Sequence, residues 1–291
     1  MDLTVDHTLG LAGLGRPGPI VMGILNTTPD SFSDGGSWGT VDRAVAHGEA
    51  MLRDGAHIID VGGESSRPGA EPVSEHDEIA RVLPVIERLA GRCILSIDTA
   101  KPQIADAALR AGCHIVNDIS ASLEEVAGTH GAGWIAMHMQ GKPRSMQKNP
   151  TYDDVVSDVT ESLIDYTARG NRAGVPKIWL DPGIGFGKTT IHNLNLLRNL
   201  KNLASVGPEL VVGASRKRFI GQIHALSDDG RDDQTAPADD RLEGSLLAAV
   251  WSWWEGSHIV RAHDVRATAI AARLVHRVAL DSKTRNNTET D

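Results

Sequence analysis

The sequence predicts a single-domain α/β protein, a closed (β/α)8 TIM barrel, on three observations. Eight short runs rich in Ile, Val and Leu recur along the chain. The segments between them mostly carry helical spacing. The length, 291 residues, suits one barrel of about 250 residues with extra chain at its ends. The apolar runs fall at 19–26, 57–64, 93–99, 114–120, 134–140, 177–183, 209–215 and 257–265. They lack a sustained polar alternation, so they read as strands buried on both faces, as parallel strands are. Helical segments are expected at 42–53, 75–89, 101–110, 152–172, 193–203, 241–255 and 266–278. Eight such alternations suit a closed barrel better than a doubly wound sheet.

Taken in order, each run ends in chemistry. The first passes into NTTPDSFSDGG (26–36), a long polar loop, and its helix stops at Asp54-Gly55, a usual helix ending. The second ends in GGESSRPGA (62–70), where two glycines allow close backbone approach and Arg67-Pro68-Gly69 sets a guanidinium on a turn. The third carries SIDTAKP (96–102), and its helix stops at Ala111-Gly112. The fourth carries NDIS (117–120), followed by a short crossover, 121–133, with room for two helical turns. The fifth carries MHMQGKP (137–143), the sixth LDPGIGFGK (180–188), the seventh GASRK (213–217) and the eighth RAHDV (261–265). GFGK lacks the spacing of a phosphate loop. Residues 227–241 hold six Asp and two Arg and read as a solvated loop, not a metal site. The helix after it carries Trp251, Trp253 and Trp254, with 251 and 254 on one face. Residues 1–18 form an N-terminal extension, a plug or hairpin under a barrel domain of 19–280, and 281–291 a polar, disordered tail.

Composition excludes several classes of function. With 41% hydrophobic and 23% charged residues and a net charge of −9, the chain is neither disordered nor fibrous, nor a nucleic-acid binder built to neutralise a phosphate polymer. No stretch of 18 apolar residues spans a bilayer, so no membrane partner is expected. The two cysteines, Cys93 and Cys113, lie in or beside apolar segments as reduced core residues, which places the protein in the cytoplasm. Asn26, Glu64, Asp98, Asn117 with Asp118, His138, Asp181, Ser215 and Arg261 with His263 close the eight runs. The carboxyl ends of barrel strands meet at one rim, so these groups predict one substrate pocket there.

These blocks, in this order over residues 20–278, resemble the dihydropteroate synthases. That family joins 6-hydroxymethyl-7,8-dihydropterin diphosphate to 4-aminobenzoate, releasing diphosphate and making 7,8-dihydropteroate for folate synthesis. The resemblance implies a pterin pocket of Asp98, Asn117, Met137, Asp181 and Lys217. Asp181 and Asn117 would read the amino-pyrimidinone edge, and Lys217 would donate to the carbonyl and ring nitrogen. It implies a diphosphate site of Asn26, Ser66, Arg67, Arg261 and His263 with Mg2+, for which Asn26 is the protein ligand. Phe32, Arg67, Pro68 and Ser215 would hold aminobenzoate, a place that sulfonamide and sulfone mimics share. Asn26, Asp98, Lys217, Arg261 and His263 are the expected catalytic set, and Arg261→Ala is expected mainly to weaken diphosphate binding. No protein nucleophile is needed, because loss of diphosphate precedes attack by the arylamine. The family also implies a homodimer, with Trp on two faces of one helix in keeping.

Blander readings stay open beside these. Asp181 suits a turn cap, Lys217 a surface amine, and His263 a buried structural histidine. The short 121–133 crossover also leaves open a catalytically weak or inactive paralogue that keeps the fold and sulfonamide or anion binding but holds pterin diphosphate poorly. A pterin-dependent methyltransferase would share the barrel, but would have no evident need for Asn26, Arg67, Arg261 and His263 around a diphosphate.

Overall fold

A computed structural model describes residues 11, 14, 18–28, 37–65, 71–227 and 235–288. Eight parallel strands close a barrel in sequence order. They are β1 Ile20–Asn26, β2 Ile58–Gly62, β3 Ile94–Thr99, β4 Ile115–Asp118, β5 Gly133–Met137, β6 Lys177–Asp181, β7 Glu209–Val212 and β8 Ser257–Ala262. The barrel shuts where Ile20 pairs with Ile259 and Met22 with Arg261. The helices are α1 Ser37–Asp54, α2 Glu75–Leu89, α3 Pro102–Arg110, α4 Glu124–Thr129, α5 Val155–Arg172, α6 Thr190–Arg198, α7 Leu200–Ala204, α8 Arg218–Ser227, α9 Leu242–Trp254 and α10 Val265–Thr288.

Strand alternation divides the side chains between two cores. Outward residues such as Val21, Leu25, Ile59, Leu95, Ile97 and Val116 pack beneath the helices. Inward residues Ile20, Met22, Ile58, Ile115, Ile135, Trp179, Val211 and Ile259 fill the lower barrel. Leu14, only 2% exposed, joins that inner cluster with Leu11 packed beside it. Higher on the same inward rows, polar residues take over.

Local chemistry explains where several helices begin. The Ser74 hydroxyl accepts from the Asp77 N–H at the start of α2, and Asp154 caps α5 through Val156 and Ser157. Thr189 and His192 form a capping box, which starts α6 before residue 193. The helix expected at 193–203 is two helices, broken at Asn199. Helix α8 lies in a stretch where no helix was expected. Helix α10 continues through Thr288, so residues 281–288 of the expected disordered tail are helical; extending a formed helix costs less than nucleating one. The short crossover makes the six-residue α4.

Candidate active site

The inward rows of β2, β3, β4, β6 and β8 set the polar layer. Register places Gly62 beside Asp98, Asp98 beside Asn117, and Met137 beside Asp181. Asp60 lies one inward step below Gly62. It is fully buried, and its Oδ2 accepts from Asn117 Nδ2 at 2.9 Å and from Arg261 Nε at 2.6 Å. The other arm of Arg261 donates to Asp98 Oδ2 at 2.5 Å. One guanidinium therefore joins two carboxylates and, through Asp60, the amide of Asn117. Among the described residues the buried Asp60 Oδ1 has no partner, which leaves it an open acceptor.

Burial raises the Asp98 carboxyl, helped by Asp60 and Glu78, while Arg261 and Lys217 pull it back. Asp181 is 6% exposed, and burial raises it too. Its Oδ1 accepts from the Gly183 N–H at 2.7 Å, so the turn-cap reading is correct for one oxygen. Its Oδ2 lies 3.9 Å from where a Cβ on Gly213 would stand, on the inner side of the barrel. One oxygen of Asp181 thus shapes its turn while the other faces the barrel interior.

Lys217 is half-buried rather than a surface amine. Its Nζ stands 3.7 Å from the centre of the Phe186 ring. Burial lowers it to about 7, with Asp181 opposing and Arg261 adding to the fall. The turn that presents it contains Arg216 at φ 57, a left-handed conformation costly for a residue with a Cβ. Arg216 is held there by a two-armed pair with Asp264, at 3.0 and 2.5 Å, and by Ser245 Oγ accepting its N–H at 3.0 Å. Ser215 Oγ contacts His263 Nδ1 at 3.1 Å and accepts the His263 N–H at 3.2 Å. The β7 and β8 loops are thus fastened together, with Ser215, Lys217, Arg261 and His263 around their junction.

Asn26 ends β1 at the rim; its Oδ1 and Asp98 Oδ2 lie 3.8 and 3.7 Å from where a Cβ on Gly62 would stand. Glycine there keeps the space between them open. Met137 belongs to a small apolar cluster with Phe186, Met146, Ile119 and Met139. A cavity of about 240 Å³ opens beside it, lined by Ile119, Met137, Met139 and Tyr166 among others. Among the described residues no three His, Cys, Asp or Glu side chains form a metal cluster. A divalent ion held by one Asn oxygen, substrate phosphates and water would still fit that donor set.

The structure therefore brings Asn26, Asp98, Asn117, Met137, Asp181, Ser215, Lys217, Arg261 and His263 to one mouth. Phe32, Ser66, Arg67 and Pro68 lie outside the described residues. Three polar strand ends serve elsewhere. Asp118 faces outward and accepts from Ser120, Ser122, Leu123 and Trp134 to build the short crossover. His138 is buried against the ammonium of Lys188 at 2.9 Å. Glu64 pairs with Lys101. Asp60 lies within its strand and not at a strand end, so the pattern of polar strand ends does not include it; an Asp midway along the apolar run IIDVG is the signal in the sequence.

A closed barrel whose carboxyl rim combines buried carboxylates, an amide, a lysine and an arginine-histidine pair defines a pterin-binding barrel enzyme. The profile of the pterin binding enzyme family matches residues 22–263. The chain belongs to that family and, within it, to the dihydropteroate synthases, which makes it a transferase. It is 45% identical to the dihydropteroate synthase of Escherichia coli strain K12 over 265 residues, 88% of this chain and 90% of the relative. Two solved structures are similar across the barrel. Yersinia pestis dihydropteroate synthase in a sulfonamide drug complex has a TM-score of 0.81 at 42% identity, covering 91% of this chain and 95% of that one. The Xanthomonas albilineans enzyme with 4-aminobenzoic acid has a TM-score of 0.82 at 39% identity, covering 91% and 94%. Nothing among these findings favours the inactive paralogue.

Proposed function

We infer that the protein condenses 6-hydroxymethyl-7,8-dihydropterin diphosphate with 4-aminobenzoate, giving 7,8-dihydropteroate and diphosphate. The observation that carries this reading is Arg261, whose guanidinium touches the carboxylates of the edge-reading cluster while its strand delivers His263 to the rim. The pterin presents N–H donors, a carbonyl and ring nitrogens, which complement Asp60, Asn117, Asp181 and Lys217. Their roles, and those of Asp98 and Met137 beside the ring, are part of the proposal.

The C–O bond between the pterin methylene and the diphosphate breaks first, and its electron pair leaves with the diphosphate. Positive charge spreads into the pterin ring. The aminobenzoate nitrogen then attacks the methylene carbon and loses a proton. Catalysis here is leaving-group stabilisation and positioning. Arg261, His263, Ser66 and Arg67 supply donors and positive charge to the diphosphate, and Ser215 fixes the His263 ring through Nδ1. Asn26 would hold Mg2+, which when bound neutralises phosphate charge. Phe32, Arg67, Pro68 and Ser215 form the aminobenzoate site, open also to sulfonamide and sulfone mimics.

A homodimer in the cytoplasm completes the proposal. Helices α9 and α10 leave Leu247, Trp251 and Trp254, and Ile270, Leu274 and Val278, exposed on their outer faces. Both cysteines are free thiols, and no helix among the described residues is long and apolar enough to cross a membrane. Calorimetry of pterin diphosphate binding with Mg2+, followed by an assay of diphosphate release in the presence of 4-aminobenzoate, tests the function. Tight binding with aminobenzoate-dependent release is expected; a folded protein that does neither refutes it.

A further inference from the structure

Three consecutive carbonyls of the β6–α6 connection are each taken by a side chain. Gln147 Nε2 donates to the Gly185 oxygen at 2.7 Å, Lys188 Nζ to that of Phe186 at 3.0 Å and the Tyr152 hydroxyl to that of Gly187 at 2.9 Å. Backbone oxygens that no helix or strand ladder serves need such donors. Lys188 differs from the other two because it also reaches the end of β5: its Nζ stands 2.9 Å from His138 Nδ1 and 3.4 Å from the His138 carbonyl. Lys188 is buried, and burial holds the His138 imidazole neutral, down to about 3. An ammonium carries donors alone, so the imidazole Nδ1 is the acceptor.

The connection forms the bed of Lys217. A Cβ on Gly185 would stand 2.7 Å from Lys217 Cδ, so the lysine stem crosses bare backbone there, and its Nζ lies over the Phe186 ring at 3.7 Å. Gly185 and Phe186 thus fix the stem and the head of one side chain. The grip on Phe186 runs back to the barrel, since the His138 N–H donates to the Asp181 carbonyl at 2.9 Å. Burying an ammonium among neutral acceptors costs stability that an apolar side chain would not. What Lys188 supplies is the direction of its three hydrogens. A lysine side chain loses rotamer freedom when a ligand fixes it, and a preformed bed removes that loss from binding.

We propose that Lys188 is a positioning residue for pterin binding: by pinning the Phe186 carbonyl to the end of β5, it holds the bed of Gly185 and Phe186 that aims the Lys217 ammonium. This rests on the pterin role given to Lys217 under the proposed function. Lys188 acts through the connection and not on the reacting atoms. Removing it loosens Lys217 and weakens capture of the pterin.

The test is a double-mutant cycle on the calorimetric Kd of 6-hydroxymethylpterin, using the parent, Lys188→Met, Lys217→Met and the double variant. Lys188→Met should raise Kd about tenfold in the parent but less than about threefold once Lys217 is methionine, because the bed then has no ammonium to aim. An unchanged Kd overturns the proposal. So does an equal rise in both backgrounds, which would place the effect on Asp181 or on the pocket at large. A spectroscopic reading accompanies the cycle. In protein carrying isotope-labelled lysine, the Lys217 Cε protons, identified by their loss in Lys217→Met, are shifted upfield by the Phe186 ring. In Lys188→Met they should move back toward the position of free lysine. If Lys217→Met leaves Kd unchanged, the pterin role of Lys217 fails, and the pinning is judged by this shift alone: its loss supports the bed and an unmoved signal overturns it. If Lys188→Met does not fold, Lys188→Gln, with an amide donor on a shorter stem, is decided by the same two readings.

Discussion

Asp60 ties two rim residues together, because one of its oxygens serves both Asn117 and Arg261 while the other, among the described residues, meets no donor. Asp60→Asn keeps the volume but removes the charge facing Arg261. Losing a charged hydrogen-bond partner of this kind costs about 3 kcal/mol, so pterin affinity should fall roughly a hundredfold by calorimetry. The same geometry adds to the expectation for Arg261. Its guanidinium is already engaged by Asp60 and Asp98, so Arg261→Ala strips the partner from two buried carboxylates. It should destabilise the fold by about 3 kcal/mol and weaken pterin as well as diphosphate binding, read from thermal melts and from binding of pterin with and without diphosphate. Lys217 gives a pH signature. Its folded value near 7 means that the ammonium is lost as pH rises through neutrality, so kcat/KM for pterin diphosphate should fall above about pH 7. Arginine does not titrate there, so Lys217→Arg should flatten that alkaline limb whatever its absolute rate. A limb of the same midpoint in the variant would assign the titration to another group.

At the scale of elements, the β6–α6 connection depends on glycine where its chain folds back under the β5 end. Gly183 has φ +67, and a Cβ there would stand 1.7 Å from the His138 carbonyl oxygen, a backbone atom that cannot swing aside. Gly183→Ala should therefore cost about 3 kcal/mol in a denaturant melt and weaken pterin binding, because the same turn fixes Asp181. A melt unchanged within about 0.5 kcal/mol would show that the connection has room the structure does not contain. Lys188 explains why this connection is well defined. Its ammonium, 2% exposed, is wrapped by the Phe186 carbonyl at 3.0 Å and His138 Nδ1 at 2.9 Å, and Phe186 in turn lies against Lys217. Burial lowers Lys188 to about 7 and His138 to about 3, so the lysine faces a neutral imidazole, not a second cation. The sequence shows GFGK as a glycine-rich stretch. That its lysine turns inward depends on contacts with residues fifty positions away.

For the whole molecule, the opposite rim carries its own ion cluster. Glu209 meets Lys177 at 2.7 Å and His258 at 3.0 Å, beneath the Trp179 indole, and these partners hold it down to about 2. A carboxylate depressed in the folded state stabilises the fold above its unfolded value near 4.5 and loses that contribution as pH falls toward 2. The melting temperature of Glu209→Gln should therefore depend less steeply on pH than the parent's between pH 5 and 2; identical slopes would remove Glu209 from acid unfolding. The α9 and α10 faces bear on assembly. Trp253 is 7% exposed, whereas Trp254 is 65% exposed beside Leu247, so Trp254→Arg with Leu247→Glu should shift a dimer to monomer in sedimentation without lowering the melting temperature of the barrel. A parent that sediments as a monomer ends that reading.

The sequence by itself determined the barrel, the order of its strands and most of its rim, because apolar periodicity and the residue at a strand's end are local facts. Asn26, Asp98, Asn117, Asp181 and Arg261 were legible for that reason. Only the tertiary structure decided how those groups are wired. Asp60 joins the site because barrel closure brings β8 across from β2, and Lys101 reaches Glu64, Val73 and Glu78 because β3 runs beside β2. Asp118, which sequence places at the same strand end as Asn117, leaves the site because alternation turns it to the outer face. Which of two adjacent polar residues faces the cup is set by strand register, and register is settled by packing across the whole barrel.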